Sequence, residues 1–229
     1  MKLLIFDIDG TLINVGEAEA RAFQTALKEH YSIENVDTNW DIYENRTDTG
    51  IVYEILNEHL GHPPSKNQIF EILDTYVTLL EKEFSCRKRP GKETAGTSQF
   101  LRALHSRQEF MMTIATGNIK KAAQLKLSWF KMAQYFIGGG FADDAYKRLD
   151  ILRAAIERAN SVNRVPFGKE NAFFIGDNLS DFFSARALGI RFIGICNSKK
   201  KANQFSSEGV KIIFPNFMKK VNIIEVILS

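Results

Sequence analysis

The chain carries only two cysteines, Cys86 and Cys196. They lie too far apart for a disulfide framework or a metal-ligand spacing, which fits a reducing compartment and makes the cytoplasm the expected location. Long hydrophobic runs are missing too. Every apolar stretch meets a charge before the roughly 18 to 20 residues that a membrane helix requires, and the opening run is cut by Asp7. No membrane span, anchor or export signal is therefore expected. Neither sign of charge dominates, since 30 basic residues against 27 acidic ones leave a formal charge of +3, too small an excess to imply a nucleic-acid partner. Internal repeats and low-complexity segments are absent. What is present is 229 residues, 45% hydrophobic and 25% charged, the composition of a globular chain forming one large domain or two modest ones.

Residues 2–6 form an apolar run ending in Asp7-Ile8-Asp9-Gly10-Thr11, which reads as a buried strand stopping in a polar loop. Similar runs recur at 110–115, 135–137, 172–175 and 191–195, with helical patterns between them. This alternation predicts an α/β fold, a Rossmann-like, doubly wound parallel sheet with helices on both faces. One helix is expected from about Asn118. Another spans about 149–159, with Ile151, Leu152, Ala155, Ile156 and Ala159 as its apolar stripe, and a third spans about 181–188, closed by Gly189. The tail offers a strand at 211–214, then Pro215 and a helix carrying Val221, Ile224 and Leu228. The phenylalanines, among them Phe173, Phe174, Phe182 and Phe183, read as core.

Residues 15–88 interrupt the alternation. Ala22, Phe23, Ala26 and Leu27 form one helical stripe, and Ile51, Val52, Ile55 and Leu56 form another that ends at Gly61. Ser65 with Gln68 makes a capping box, after which Ile69, Phe70, Leu73, Val77, Leu80 and Phe84 mark a long helix. The expectation is an all-helical cap domain (15–88) inserted after the first strand of a catalytic core (1–14 and 89–229). Hinges fall near 13–16 and 87–91, the latter containing Pro90 and Gly91.

Side chains alternate along a strand, so Asp7 and Asp9 would point the same way at its carboxyl end, where ligands bind in open α/β sheets. Crowded carboxylates repel unless one keeps a proton or a cation sits between them. A second acidic end follows at Gly176, Asp177 and Asp181, and together these groups form the all-oxygen set that a hard cation such as Mg²⁺ prefers. Thr116, Gly117 and Asn118 place a hydroxyl and backbone N–H groups at a helix start, where phosphate can be held. Lys147 and Arg148 stand just before a helix, a position that asks for an anionic partner. Arg46, in a polar loop between two insert helices, reads first as solvated, with a substrate anion as its functional alternative. Lys199, Lys200 and Lys201 read as a solvated basic run, and His59 and His62 as surface residues.

In order and spacing, Asp7 to Thr11, the strand ending in Thr116, the pair Lys147-Arg148 and the segment 176–181 resemble the four motifs of the haloacid dehalogenase superfamily. The insert resembles the helical cap of its phosphoglycolate phosphatase and β-phosphoglucomutase relatives. The resemblance implies that Asp7 is a nucleophile forming an aspartyl phosphate and that Asp9 is the general acid and base. It implies Mg²⁺ held by Asp7, the backbone carbonyl of Asp9 and Asp177, with Asp181 as a further ligand or as a support behind the ligands. It further implies that Thr116 and Gly117 bind phosphoryl oxygens and that Arg148, with Lys147 competing, neutralises charge. The implied protein is a cytoplasmic monomer or homodimer, a phosphatase acting on a small phosphorylated metabolite. A phosphosugar mutase and a non-catalytic binding protein on the same scaffold are the alternatives.

Overall fold

The computed structural model describes residues 1–86, 91–163 and 166–229. In chain order its elements are β1 (Lys2–Phe6), β2 (Ile13–Asn14), α1 (Gly16–Tyr31), α2 (Asp48–Leu60), α3 (Lys66–Cys86) and β3 (Lys92–Glu93). Then follow α4 (Thr97–His105), β4 (Phe110–Ala115), α5 (Lys120–Trp129), β5 (Gly139–Gly140), α6 (Arg148–Val162) and β6 (Ala172–Gly176). The chain closes with α7 (Leu179–Leu188), β7 (Arg191–Ile195), α8 (Lys199–Ser207), β8 (Ile213–Phe214) and α9 (Lys220–Leu228). No described helix is long and apolar enough to cross a membrane.

Six strands form one parallel sheet in the order β5-β4-β1-β6-β7-β8. β1 is central because its side chains fill both faces. Leu3 and Ile5 pack with Leu152, Ala155 and Phe174 on one side, while Leu4 and Phe6 join Phe100, Leu104 and Ile223 on the other. Each of these four β1 side chains is fully buried, which contributes about 1.5–3 kcal/mol apiece. The register sets the chemistry: Phe6 lies opposite Ile114 of β4 and Ile175 of β6. The three strands therefore end level, and Asp7, Thr116 and Asp177 emerge along one edge.

The insert is helical, as its periodicity predicts. Helices α1 and α3 pack together, with the Phe23 ring 5.4 Å from that of Tyr76 in an edge contact. The capping box forms: the Ser65 N–H donates to Gln68 Oε1 at 2.9 Å and the Gln68 N–H to Ser65 Oγ at 3.3 Å. The two short strands that carry the chain into and out of the insert, β2 and β3, pair antiparallel; at two residues each they leave no periodic trace. The hinge expected at 87–91 lies outside the described residues except for Gly91.

Several expectations are corrected. Residues 135–137 are not a strand: residues 133–135 form a 3₁₀ turn, and the edge strand is β5, the two glycines Gly139 and Gly140. A Cβ at Gly140 would stand 2.0 Å from the Ile151 carbonyl oxygen, and one at Gly139 2.6 Å from that of Ile114. Only glycine fits between β4 and α6, and glycine carries no strand signal. Helix α5 begins at Lys120 rather than Asn118, and α7 at Leu179 with Asn178 as its cap rather than at Asp181. In α9 the buried stripe is Ile223 and Ile227, while Val221 and Leu228 are exposed. Phe183 is also exposed; it lies against the Arg186 guanidinium, 4.9 Å from the ring centre.

Candidate active site

The level strand ends open onto a cavity of about 230 Å³. Asp7, Asp9, Thr116, Arg148 and Asp177 line it from the sheet, and Glu19, Phe23, Trp40, Arg46 and Asp48 line it from the insert. Asp7 is buried one residue past β1, its N–H bonded to the Ile175 carbonyl at 3.0 Å. Arg148, the first residue of α6, forks between two carboxylates: Nη2 donates to Asp7 Oδ1, and Nε donates to Asp181 Oδ1 at 2.7 Å. The Thr11 hydroxyl bridges Asp7 Oδ2 and Asp177 Oδ1 at 3.3 and 3.4 Å. Lys201 reaches Asp177 Oδ2 from α8.

Carboxylate oxygens of Asp7, Asp177 and Asp181 lie within 4.8 Å of one another. The Asp181 side chain is fully buried, and its Oδ2 has no hydrogen-bond partner among the described residues. An orphaned carboxylate oxygen beside two further acids fits a hard divalent cation, which an all-oxygen donor set favours. Burial raises Asp7 to about 6 against the opposing pull of Arg148, and raises Asp177 to about 6 against that of Lys201. Asp181 is raised by burial as well. Burial by itself would lower the Arg148 guanidinium, but Asp181 and Asp7 outweigh it and hold it fully charged. Three acids, Asp7 and Asp181 buried and Asp177 half-buried, thus share two protein cations, and the remaining negative charge is what a divalent ion would neutralise.

Gly10 closes this geometry from below. It has φ +78°, and a Cβ there would meet Asp177 Oδ2 at 2.4 Å. Gly10→Ala is therefore expected to displace Asp177, destabilise the fold by at least about 1 kcal/mol from backbone strain and weaken binding of a divalent cation. Thermal melting and Mg²⁺ titration check this; an unchanged Mg²⁺ affinity would separate Gly10 from the site.

Asp9 lines the cavity, but its carboxylate turns away from the acidic cluster to Lys126, whose Nζ donates to Asp9 Oδ2 at 2.7 Å. Thr116 is buried at the cavity, and its Oγ accepts the Asn118 N–H at 3.3 Å. The Asn118 side-chain oxygen is committed to Lys126 at 2.9 Å. Arg46 is not a solvated loop residue. It reaches across the cavity to Asn178 Oδ1 at 2.6 Å and pairs with Asp41 at 3.0 Å. Lys147 is the correction in the other direction: it is exposed at the N-cap of α6 and does not line the cavity, a position that Arg148 takes. Lys201 leaves the basic run to serve the site, while His59 and His62 are exposed.

Helix α2 docks its N-terminus on the loop after β4. The Asp48 N–H donates to the Gly117 carbonyl at 2.7 Å, and Asp48 Oδ2 accepts the Ile119 N–H at 2.8 Å. Thr47 and Thr49 add hydroxyl bonds to the carbonyls of Tyr146 and Ala142, each at 3.0 Å. Burial pushes Asp48 up to about 8, so its carboxyl is protonated in the fold at neutral pH. Unfolded, it keeps a proton only below about pH 4. Its contribution to stability is therefore complete in acid and lost as the pH rises from about 4 to about 8. Asp48→Asn, which keeps the oxygen for Ile119, is expected to match the parent at pH 4 and to melt at a higher temperature at pH 8.5. Parallel melting curves at both pH values would contradict this.

Sequence reasoning missed Lys126, Glu19 and Asp48. A signal existed for the first: Lys126 interrupts the buried stripe Ala122, Ala123, Leu127 of α5, and a charge at such a position demands partners. Glu19 and Asp48 gave none, because acids in the first turn of a helix are common.

The family described as haloacid dehalogenase-like hydrolase matches residues 4–195. Among solved structures, a predicted phosphatase from Clostridium acetobutylicum is similar over 98% of both chains, with TM-score 0.71 and 20% identity. A predicted phosphoglycolate phosphatase from Haemophilus somnus 129pt gives TM-score 0.70 and 17% identity, again over 98% of both chains. CbbY from Rhodobacter sphaeroides, in complex with phosphate, gives TM-score 0.72 and 16% identity over 95% of both. At these identities the likeness is one of fold. No curated protein matches the sequence. The family match spans most of the chain, sheet and insert together, so the protein belongs to the haloacid dehalogenase-like hydrolases.

Proposed function

We propose that the protein is a Mg²⁺-dependent phosphatase that releases phosphate from a small phosphorylated metabolite through an aspartyl phosphate on Asp7. The observation that carries this reading is the meeting of Asp7, Asp177 and Asp181 within 4.8 Å beside the Arg148 fork. Mg²⁺ would be held by Asp7, Asp177, Asp181 and the backbone carbonyl of Asp9, and when bound it supplies positive charge to the phosphoryl oxygens.

In this mechanism a carboxylate oxygen of Asp7 attacks phosphorus, and the bond from phosphorus to the leaving oxygen breaks. Asp9 gives its proton to that oxygen, then takes one from the water that attacks the phosphoryl group, breaking the bond to Asp7. Arg148 balances the charge of Asp7 and of the transferring group, and Thr116 with the N–H of Gly117 holds phosphoryl oxygens. Hydrolysis of phosphate monoesters can call for accelerations up to about 10²¹, so the work has to be divided among several groups. The modest cavity, lined from the insert by Trp40, Arg46 and Asp48, favours a small substrate.

The reading is tested by phosphate release from a panel of phosphorylated metabolites with Mg²⁺ and again with a chelator. Turnover with Mg²⁺ alone is expected. Equal turnover with chelator, or none on any member by the folded protein, would contradict it.

A further inference from the structure

Lys126 is a fully buried lysine on α5 whose ammonium has three donors, and all three are spent: on Asp9 Oδ2 at 2.7 Å, Glu19 Oε1 at 2.5 Å and Asn118 Oδ1 at 2.9 Å. Its partners hold it from both parts of the molecule. Glu19 comes from α1 of the insert, and the same oxygen accepts the Tyr76 hydroxyl of α3 at 3.1 Å. Asn118 comes from the loop after β4. Lys126 does not line the cavity, so it can act on a bound substrate only through the partners that do, Asp9, Glu19 and Asn118, and of these Asp9 is the one given a proton to move. At Asp9 the two oxygens are treated differently: Oδ2 is clamped, while Oδ1 is buried and has no partner among the described residues.

A buried ammonium is costly to desolvate, and replacing such an ion group with apolar side chains often leaves a fold as stable or more so. Stability is therefore a poor reason for Lys126 to be there, and the clamp on Asp9 is a better one. We infer that Lys126 is a positioning residue: by holding Asp9 Oδ2 against Glu19 and Asn118, it fixes the carboxyl so that Oδ1 is the oxygen that exchanges a proton with the leaving group. This rests on the phosphatase reading, with Asp9 as its acid and base. A freely rotating Asp9 would still be present in the site but seldom aimed, and a misaligned proton donor matters most where the leaving oxygen needs the proton most.

The test uses a series of phosphate monoesters, from p-nitrophenyl phosphate to phenyl and alkyl phosphates, assayed with Mg²⁺. The quantity is kcat/KM, which covers transfer to Asp7 but not the later hydrolysis. For Lys126→Met the expected result is a loss that grows along the series, under about tenfold for p-nitrophenyl phosphate and about 10²-fold or more for alkyl phosphates, so that dependence on leaving-group pKa steepens. The double variant Lys126→Met with Glu19→Leu removes the ion pair as a unit and keeps the test open if the single variant fails to fold; the same steepening is expected. A loss uniform along the series, or no loss, in whichever variant folds would overturn the assignment. If the parent protein hydrolyses the series and Asp7→Asn does not, the phosphatase reading stands whatever Lys126 does. A folded parent inactive both on these esters and on the metabolite panel would overturn both.

Discussion

Asp7→Asn is expected to lower phosphate release by at least about 10³-fold while leaving the protein folded. The amide is nearly isosteric and keeps an oxygen to accept from Arg148 or Thr11, the two groups that hold Asp7 now, but it cannot attack phosphorus. Its effect on stability has a definite sign. Burial raises Asp7 to about 6, so in the absence of a divalent ion the ionised group costs stability above that pH. The variant is therefore expected to melt at the same or a higher temperature than the metal-free parent at pH 8. Activity and melting measured together distinguish a lost nucleophile from a lost fold, and a variant with parental activity would remove Asp7 from the role.

The second large effect belongs to Arg148. Its guanidinium is the shared cation of Asp7 and Asp181, and removing one member of a buried charge cluster costs about 3–5 kcal/mol because the remaining charges stay buried and uncompensated. Arg148→Ala is expected to lose that much stability in chelator and to regain part of it when Mg²⁺ is added, since the same carboxylates then have a cation again. Activity is not expected to follow, because the group that balances the transferring phosphoryl charge is still missing; a deficit of about 10²-fold or more should remain with saturating Mg²⁺. Melting curves with and without Mg²⁺ check the first part and turnover the second. A variant as stable as the parent in chelator would contradict the shared-cation role.

Much of this architecture is legible in the sequence because parallel strands buried on both faces read as apolar runs, and β1, β4, β6 and β7 are such runs. The same holds for the polar residues placed just past them: once Phe6, Ile114 and Ile175 stand level, Asp7, Thr116 and Asp177 have to meet. What escaped was written in other terms. The edge strand is two glycines whose lack of a side chain is their qualification. The cation behind Asp9 arrives from α5, 117 residues along the chain, and no local pattern joins the two. Arg46 and Lys201 read as solvated charges since their partners, Asn178 and Asp177, belong to different elements.

The most direct measurement is to quench the protein with acid within milliseconds of mixing with a phosphate ester that it turns over, and to weigh its peptides. With Mg²⁺ the account predicts a phosphoryl group on the peptide carrying Asp7, absent when a chelator is present and absent from Asp7→Asn. A phosphoryl group on any other peptide, or turnover that persists in Asp7→Asn, would contradict it.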